Sequence, residues 1–208
     1  MLNDNDSLRF RIIHGVGIND ADYNVNITKT IQGRRRLLWR CPFYVKWKSM
    51  LTRCYYEKYR FKYPSYKDCY VCEEWLRFSN FKAWMEQQDW EGKELDKDLL
   101  IPNNKVYSSE TCLLISGRIN QFILENGVRR GDHPIGVYLH KPSGKFLAQC
   151  FSVVTGRKQH LGYYDSPEEA HEVWKCFKLE QAKILASEEP DKRIAEALIK
   201  RYEKYETK

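Results

Sequence analysis

Three short alternating runs, two turns between them and a marked helix start follow one another from residue 135 to residue 170. Few folds accept that order of signals. Ile135 to His140, Lys145 to Phe151 and Lys158 to Tyr164 each alternate in the manner of half-buried strands, with Pro142-Ser143-Gly144 and Thr155-Gly156 as the turns. Asp165-Ser166-Pro167-Glu168-Glu169 then provides a capping side chain on Asp165 or Ser166, a proline for the first turn and two acids beside the positive end of a helix dipole. The helix is expected to run to about Ala186. Period two turns Val137, Leu139, Phe146, Ala148, Cys150 and Leu161 toward a helix stripe of Ala170, Val173, Trp174 and Phe177. Tyr138, His140, Lys145, Gln149, Phe151, Lys158 and His160 are left on the opposite face. A three-stranded antiparallel sheet packed on one helix is the expected outcome.

The upstream half reads differently. Residues 1–39 carry weak periodicity and turn formers (Asn3, Gly15, Gly17, Asn19) and are expected to form a partly irregular arm with a strand or two. Pro42 suits the first turn of a helix whose apolar stripe is Phe43, Trp47, Met50, Leu51 and Cys54. Tyr63-Pro64-Ser65-Tyr66 breaks the chain, and a second helix is expected from Glu73 to Gln87 around Trp75, Phe78, Phe81, Trp84 and Met85. Glu94 to Leu100 is strand-like, a loop follows at Pro102-Asn103-Asn104-Lys105, and Thr111 to Ile115 is a second strand leading into a helix from Ser116 to about Leu124. Asn126-Gly127 and Gly131 mark a linker, and Pro190 opens a last helix carrying Ile194, Leu198 and Tyr202 on one side. The class is therefore α+β, with modules at 1–39, 40–126, 132–187 and 190–208.

Charge narrows the partner. The formal net charge is only +7, but twelve cations lie between Lys29 and Lys67 with Glu57 alone opposing them. Arg34, Arg35 and Arg36 are the densest part, and such a stretch is the footprint expected of phosphate contacts. A solvated helix face is the plainer reading. Seven cysteines, no apolar leader after Met1-Leu2-Asn3-Asp4 and no run near the ~18 apolar residues of a membrane span point to free thiols, a cytoplasmic setting and no membrane.

Gly136-Val137, Ser143-Gly144-Lys145-Phe146-Leu147-Ala148, His160-Leu161-Gly162-Tyr163-Tyr164 and Ser166-Pro167-Glu168-Glu169-Ala170 stand at the spacings of the plant ethylene-response-factor domain, which residues 134 to about 182 resemble. The resemblance implies a sheet lying in the major groove of double-stranded DNA. A small ribbon fits that groove, and its outward side chains reach base edges and phosphates. Tyr138, His140, Gln149 and His160 stand where the plant family has Arg and Trp, so DNA binding carries over and base preference does not.

Asp96-Lys97-Asp98, Asn103-Asn104, Tyr107-Ser108, Thr111-Cys112 and Asn120 resemble the ββα-metal core of phage HNH endonucleases. Arg53-Cys54-Tyr55, Cys72-Glu73-Glu74-Trp75 and Phe78-Ser79-Asn80-Phe81 resemble the segment preceding it. The resemblance implies a magnesium ion on Asp96 and Asn120, polarising a phosphate while a base activates water. Lys97 falls where the base His belongs and Thr111 where its orienting Asn belongs. A lysine near its ordinary pKa of about 10.4 is a poor base at neutral pH, the more so beside Asp96 and Asp98.

Two readings stay open. Asp98 supplies a second carboxylate to a magnesium-dependent endonuclease or nickase, or the core is degenerate and serves DNA binding alone, as a regulator or an inhibitor of a host factor. A protein partner is a third possibility. Cys54, Cys69, Cys72 and Cys112 could form a four-thiolate zinc site, against which stands the commoner role of buried thiols packed under aromatic helices.

Overall fold

The computed structural model describes residues 11–124 and 133–203. The first ten residues of the expected arm, and Asn126, Gly127 and Gly131 of the expected linker, lie outside the described residues. The chain divides into two compact units, Met1–Gly117 and Arg118–Lys208.

The first unit opens with two hairpins, more strand than the one or two expected in a partly irregular arm. β1 (Arg11–Ile13) pairs with β2 (Gly17–Asn19), and β3 (Asn26–Ile31) pairs with β4 (Arg34–Arg40). Gln32 and Gly33 join the second pair with φ of 49° and 73°, the positive values that a two-residue turn needs to match strand twist. Arg34, Arg35 and Arg36 therefore lie on a β-ribbon and on no helix. A helix α1 (Pro42–Tyr55) follows, with proline in its first turn. Tyr44, Trp47, Met50, Leu51 and Cys54 are buried at the expected three- and four-residue steps, whereas Phe43 is half-buried. Trp47 Nε1 donates to the Trp75 carbonyl at 2.7 Å, which satisfies the one polar group of a fully buried indole.

After the short α2 (Glu57–Lys62) and β5 (Tyr70–Val71), the expected helix from Glu73 to Gln87 is broken in two. A 3₁₀ turn at Glu73–Leu76 precedes α3 (Phe78–Glu86), and Arg77 between them is extended at φ −94°, ψ 125°. The cause is tertiary. No side chain of the helix caps its own amides; Asp20 does so from a distant loop, accepting from Ser79 N at 2.9 Å and from Ser79 Oγ at 2.7 Å. Arg77 Nη1 lies 3.3 Å from the same carboxylate. Burial favours the neutral acid, yet these bonds outweigh it and hold the Asp20 carboxyl below its ordinary value.

Asp20→Ala is expected to cost about 1–2 kcal/mol at neutral pH, as loss of a helix cap does. Because the folded-state pKa is depressed, the contribution is complete above the unfolded carboxyl range, near 4, and fades as pH falls through the folded value. Urea denaturation of both proteins at neutral and acid pH checks this; a gap that widens in acid contradicts the capping role.

β6 (Lys93–Asp96) pairs antiparallel with β8 (Leu113–Ser116), in register Asp96 with Leu113. The strand expected to reach Leu100 stops four residues early because Asp96 Oδ1 accepts from Asp98 N at 2.9 Å and Leu99 N at 2.7 Å, folding the chain into a turn. Between them β7 (Val106–Tyr107) runs parallel to β5. The order strand, loop, strand, then α4 (Gly117–Ile123) follows the expectation.

Within the second unit, Phe122 of α4 lies 3.4 Å (ring centroid) from Lys178 Nζ and 5.4 Å from the Tyr202 ring. The helix expected to close the middle module therefore packs with the C-terminal elements. β9 (Val137–His140), β10 (Lys145–Ser152) and β11 (Arg157–Tyr164) form the three-stranded antiparallel sheet, β10 central, and α5 (Pro167–Glu188) covers one face. Ser166, not Asp165, is the cap: its Oγ accepts from Glu169 N at 3.2 Å. α6 (Lys192–Glu203) starts two residues beyond Pro190, after Asp191 accepts from Arg193 N, and buries Ile194, Leu198 and Tyr202.

Candidate nucleic-acid interface

Register sorts the sheet into its two faces. Phe146 sits opposite Leu139 and Tyr164, and Ala148 opposite Val137 and Gly162. Val137, Ala148 and Ala170 form the buried centre, with Phe146, Leu161 and Tyr164 packed around it. Leu139 departs from the expected inner set: it is 45% exposed, on the edge strand β9.

The other face carries every residue expected on it. Lys145 pairs with His140, Gln149 with His160, and Phe151 with Lys158, while Tyr138 sits opposite Leu147. A bulge at Leu161 between the Ala148 and Gln149 pairs keeps this alternation in step. The sequence reading missed two members. Leu147 and Tyr163 also face outward, opposite each other. Tyr163 is central: its ring lies 4.9 Å from that of His140 and 4.7 Å from that of His160. The signal was period two counted back from Tyr164, obscured by the bulge.

Tyr138, Phe151 and Tyr163 are 46%, 48% and 45% exposed. His140 Nδ1 shares a hydrogen bond with Ser143 Oγ at 2.8 Å, which fixes the imidazole at the turn. Lys145 pairs with Asp165 at 3.0 Å, but both ends are well exposed and such a pair yields readily to a phosphate. The face offers cations at its ends and flat rings with polar edges between them.

Asp96, Lys97, Asp98 and Thr111 are gathered around one loop in the first unit, while Asn120 lies on α4 in the second. Lys97 is the surprise. Only 6% exposed, its Nζ donates to both Asp98 oxygens, at 2.6 and 2.8 Å, and to the Asn104 carbonyl at 2.6 Å. Asn104 in turn donates to the Lys97 and Val106 carbonyls and accepts from Val106 N. Thr111 Oγ1 donates to the Val106 carbonyl at 2.8 Å and lies 3.1 Å from Ser108 Oγ. These side chains satisfy the loop's own backbone.

A magnesium ion sharing Asp98 does not fit this arrangement. The ammonium of Lys97 already sits among the three oxygens that would face a hard cation. Burial pushes both Cys54 and Cys112 up to about 12, and raises Cys69 and Cys72. Cys54, Cys69 and Cys112 belong to the apolar core, and among the described residues no group of three or more His, Cys, Asp or Glu is placed to hold a metal. No described helix is long and apolar enough to cross a membrane.

The chain matches no protein-family model, no curated protein and no solved structure.

Proposed function

We propose that this protein binds double-stranded DNA through the outer face of the β9–β10–β11 sheet, and that the loop around Lys97 braces the first unit without cutting the strand. The observation that carries the reading is the segregation of that sheet: one face is sealed by α5, the other exposes Tyr138, Lys145, Phe151, Lys158, His160 and Tyr163. A twisted ribbon of three strands matches the width of a major groove, and lysines at its ends reach the bordering phosphates.

Fluorescence anisotropy with a labelled duplex across a salt series tests it. The wild type is expected to bind, and Lys145→Ala/Lys158→Ala to lower the slope of log affinity against log salt by about two, near 0.9 per phosphate contact. A plasmid incubated with magnesium or manganese is expected to stay intact. Nicking by the wild type that disappears in Asp96→Ala would overturn the non-cleaving half of the proposal. Absence of duplex binding in dilute buffer would overturn the rest.

A further inference from the structure

A cleft of about 290 Å³ opens in the first unit between the base of the β3–β4 ribbon and one side of α1. Asn26 and Arg40, the last pair of the ribbon, form one wall; Lys48, Ser49 and Tyr44 of α1 form the other, with Tyr59 beyond. Two cations, hydroxyls and an amide line it, and no carboxylate does. Arg40 Nε donates to Asn26 Oδ1 at 3.0 Å, which pins the guanidinium to the ribbon. Thr52, which also lines the cleft, has its Oγ1 2.9 Å from His14 Nε2.

We infer that this cleft is a phosphodiester site, in which Arg40 and Lys48 grip one backbone phosphate of a DNA strand lying along the β3–β4 ribbon. The inference rests on the DNA-binding reading and adds a second contact region, on residues outside the sheet. Three observations favour a strand over a free anion. The ribbon above the cleft has no acid between Asn26 and Arg40; Arg35 shares the face of Arg40, and Lys29, Arg34 and Arg36 add their charge from the reverse face. All of β4 is exposed, so nothing in its own unit uses those charges as a packed core. From Arg40 to Arg35 that face extends about 17 Å at ~3.3 Å per residue, the length of about five nucleotides at ~3.4 Å each.

Duplex binding by the full chain, compared among wild type, Lys48→Glu and Arg40→Ala/Lys48→Ala, tests the site. Lys48 is exposed on α1, and Lys48→Glu keeps the carbonyl that accepts from Thr52 Oγ1, so the variant is expected to keep the wild-type melting curve. It is expected to weaken binding about tenfold or more at moderate salt, and the double variant to lower the salt slope by about two. Wild type that binds while both variants match it in affinity and slope overturns the cleft and leaves the sheet reading standing. Wild type that ignores duplex removes both. Inorganic phosphate is the remaining arm, followed by its phosphorus resonance: a Lys48-dependent shift without any Lys48-dependent effect on duplex assigns the cleft to a free anion and overturns the strand.

Discussion

Gly136→Ala is expected to unfold the second unit or leave it barely stable. Gly136 holds φ of +81°, and a Cβ built there overlaps Cδ1, Cγ and Nε1 of Trp174. The indole cannot retreat. It is 4% exposed, stacked against His171 at 5.4 Å, and His171 Nδ1 is tied to the Ile135 carbonyl at 2.9 Å. Gly136 also accepts from Gln149 N at 2.8 Å, so moving the backbone instead breaks the junction with β10. Left-handed strain of about 1–2 kcal/mol and overpacking of about 1–3 kcal/mol or more act together, against a typical domain stability of about 5–15 kcal/mol. Gly144 separates the two effects, for its φ is +69° but nothing lies within 4 Å of an added Cβ. Gly144→Ala is therefore expected to cost only the strain. Urea denaturation of the two variants checks this, with duplex binding lost in Gly136→Ala and kept in Gly144→Ala. Equal, small losses in both would mean that the indole does not press on the backbone at Gly136.

The sheet and its helix were legible because their signals are local. Ser166, Pro167 and the two following acids write a helix start into four residues, and alternation on β10 survives into the structure from Lys145 to Ser152. What failed to read depends on partners distant in sequence. Trp75, Phe78, Phe81 and Met85 keep a helical period across Arg77, because the 3₁₀ turn and α3 bury the same side; only Asp20, far upstream, reveals where the helix begins. The ribbon was hidden for a different reason. Arg34-Arg35-Arg36 has no polar–apolar alternation, and both its faces are wet, so the visible clue is Gln32-Gly33 after the β-branched run Ile27–Ile31. Of the candidate site, the outer sheet residues were recoverable from period two. The role of Lys97 was not, since nothing in a sequence tells whether an amine beside two carboxylates is solvated or locked under a loop.

Lys97→Met is the corresponding test of the loop, and a loss of about 2–3 kcal/mol is expected. Methionine keeps most of the volume, so the change isolates the ammonium. Three donated bonds disappear, and the Asn104 carbonyl and Asp98 carboxylate lose their shared donor. The Asp98 side chain is 42% exposed and recovers part of its solvation from water, which keeps the loss below that of a fully buried broken pair. Asp98→Asn is expected to cost less, about 1 kcal/mol, because the amide oxygen still accepts from the ammonium. The same geometry bears on the HNH resemblance. Lys97→His with Thr111→Asn installs the two residues of the HNH pattern, yet it removes both the donor to the Asn104 carbonyl and the hydroxyl that holds the Val106 carbonyl. The double variant is expected to be less stable than wild type and to leave plasmid uncut with magnesium or manganese. If it nicks instead, the loop is a metal centre that two substitutions have silenced, and Lys97 is no brace.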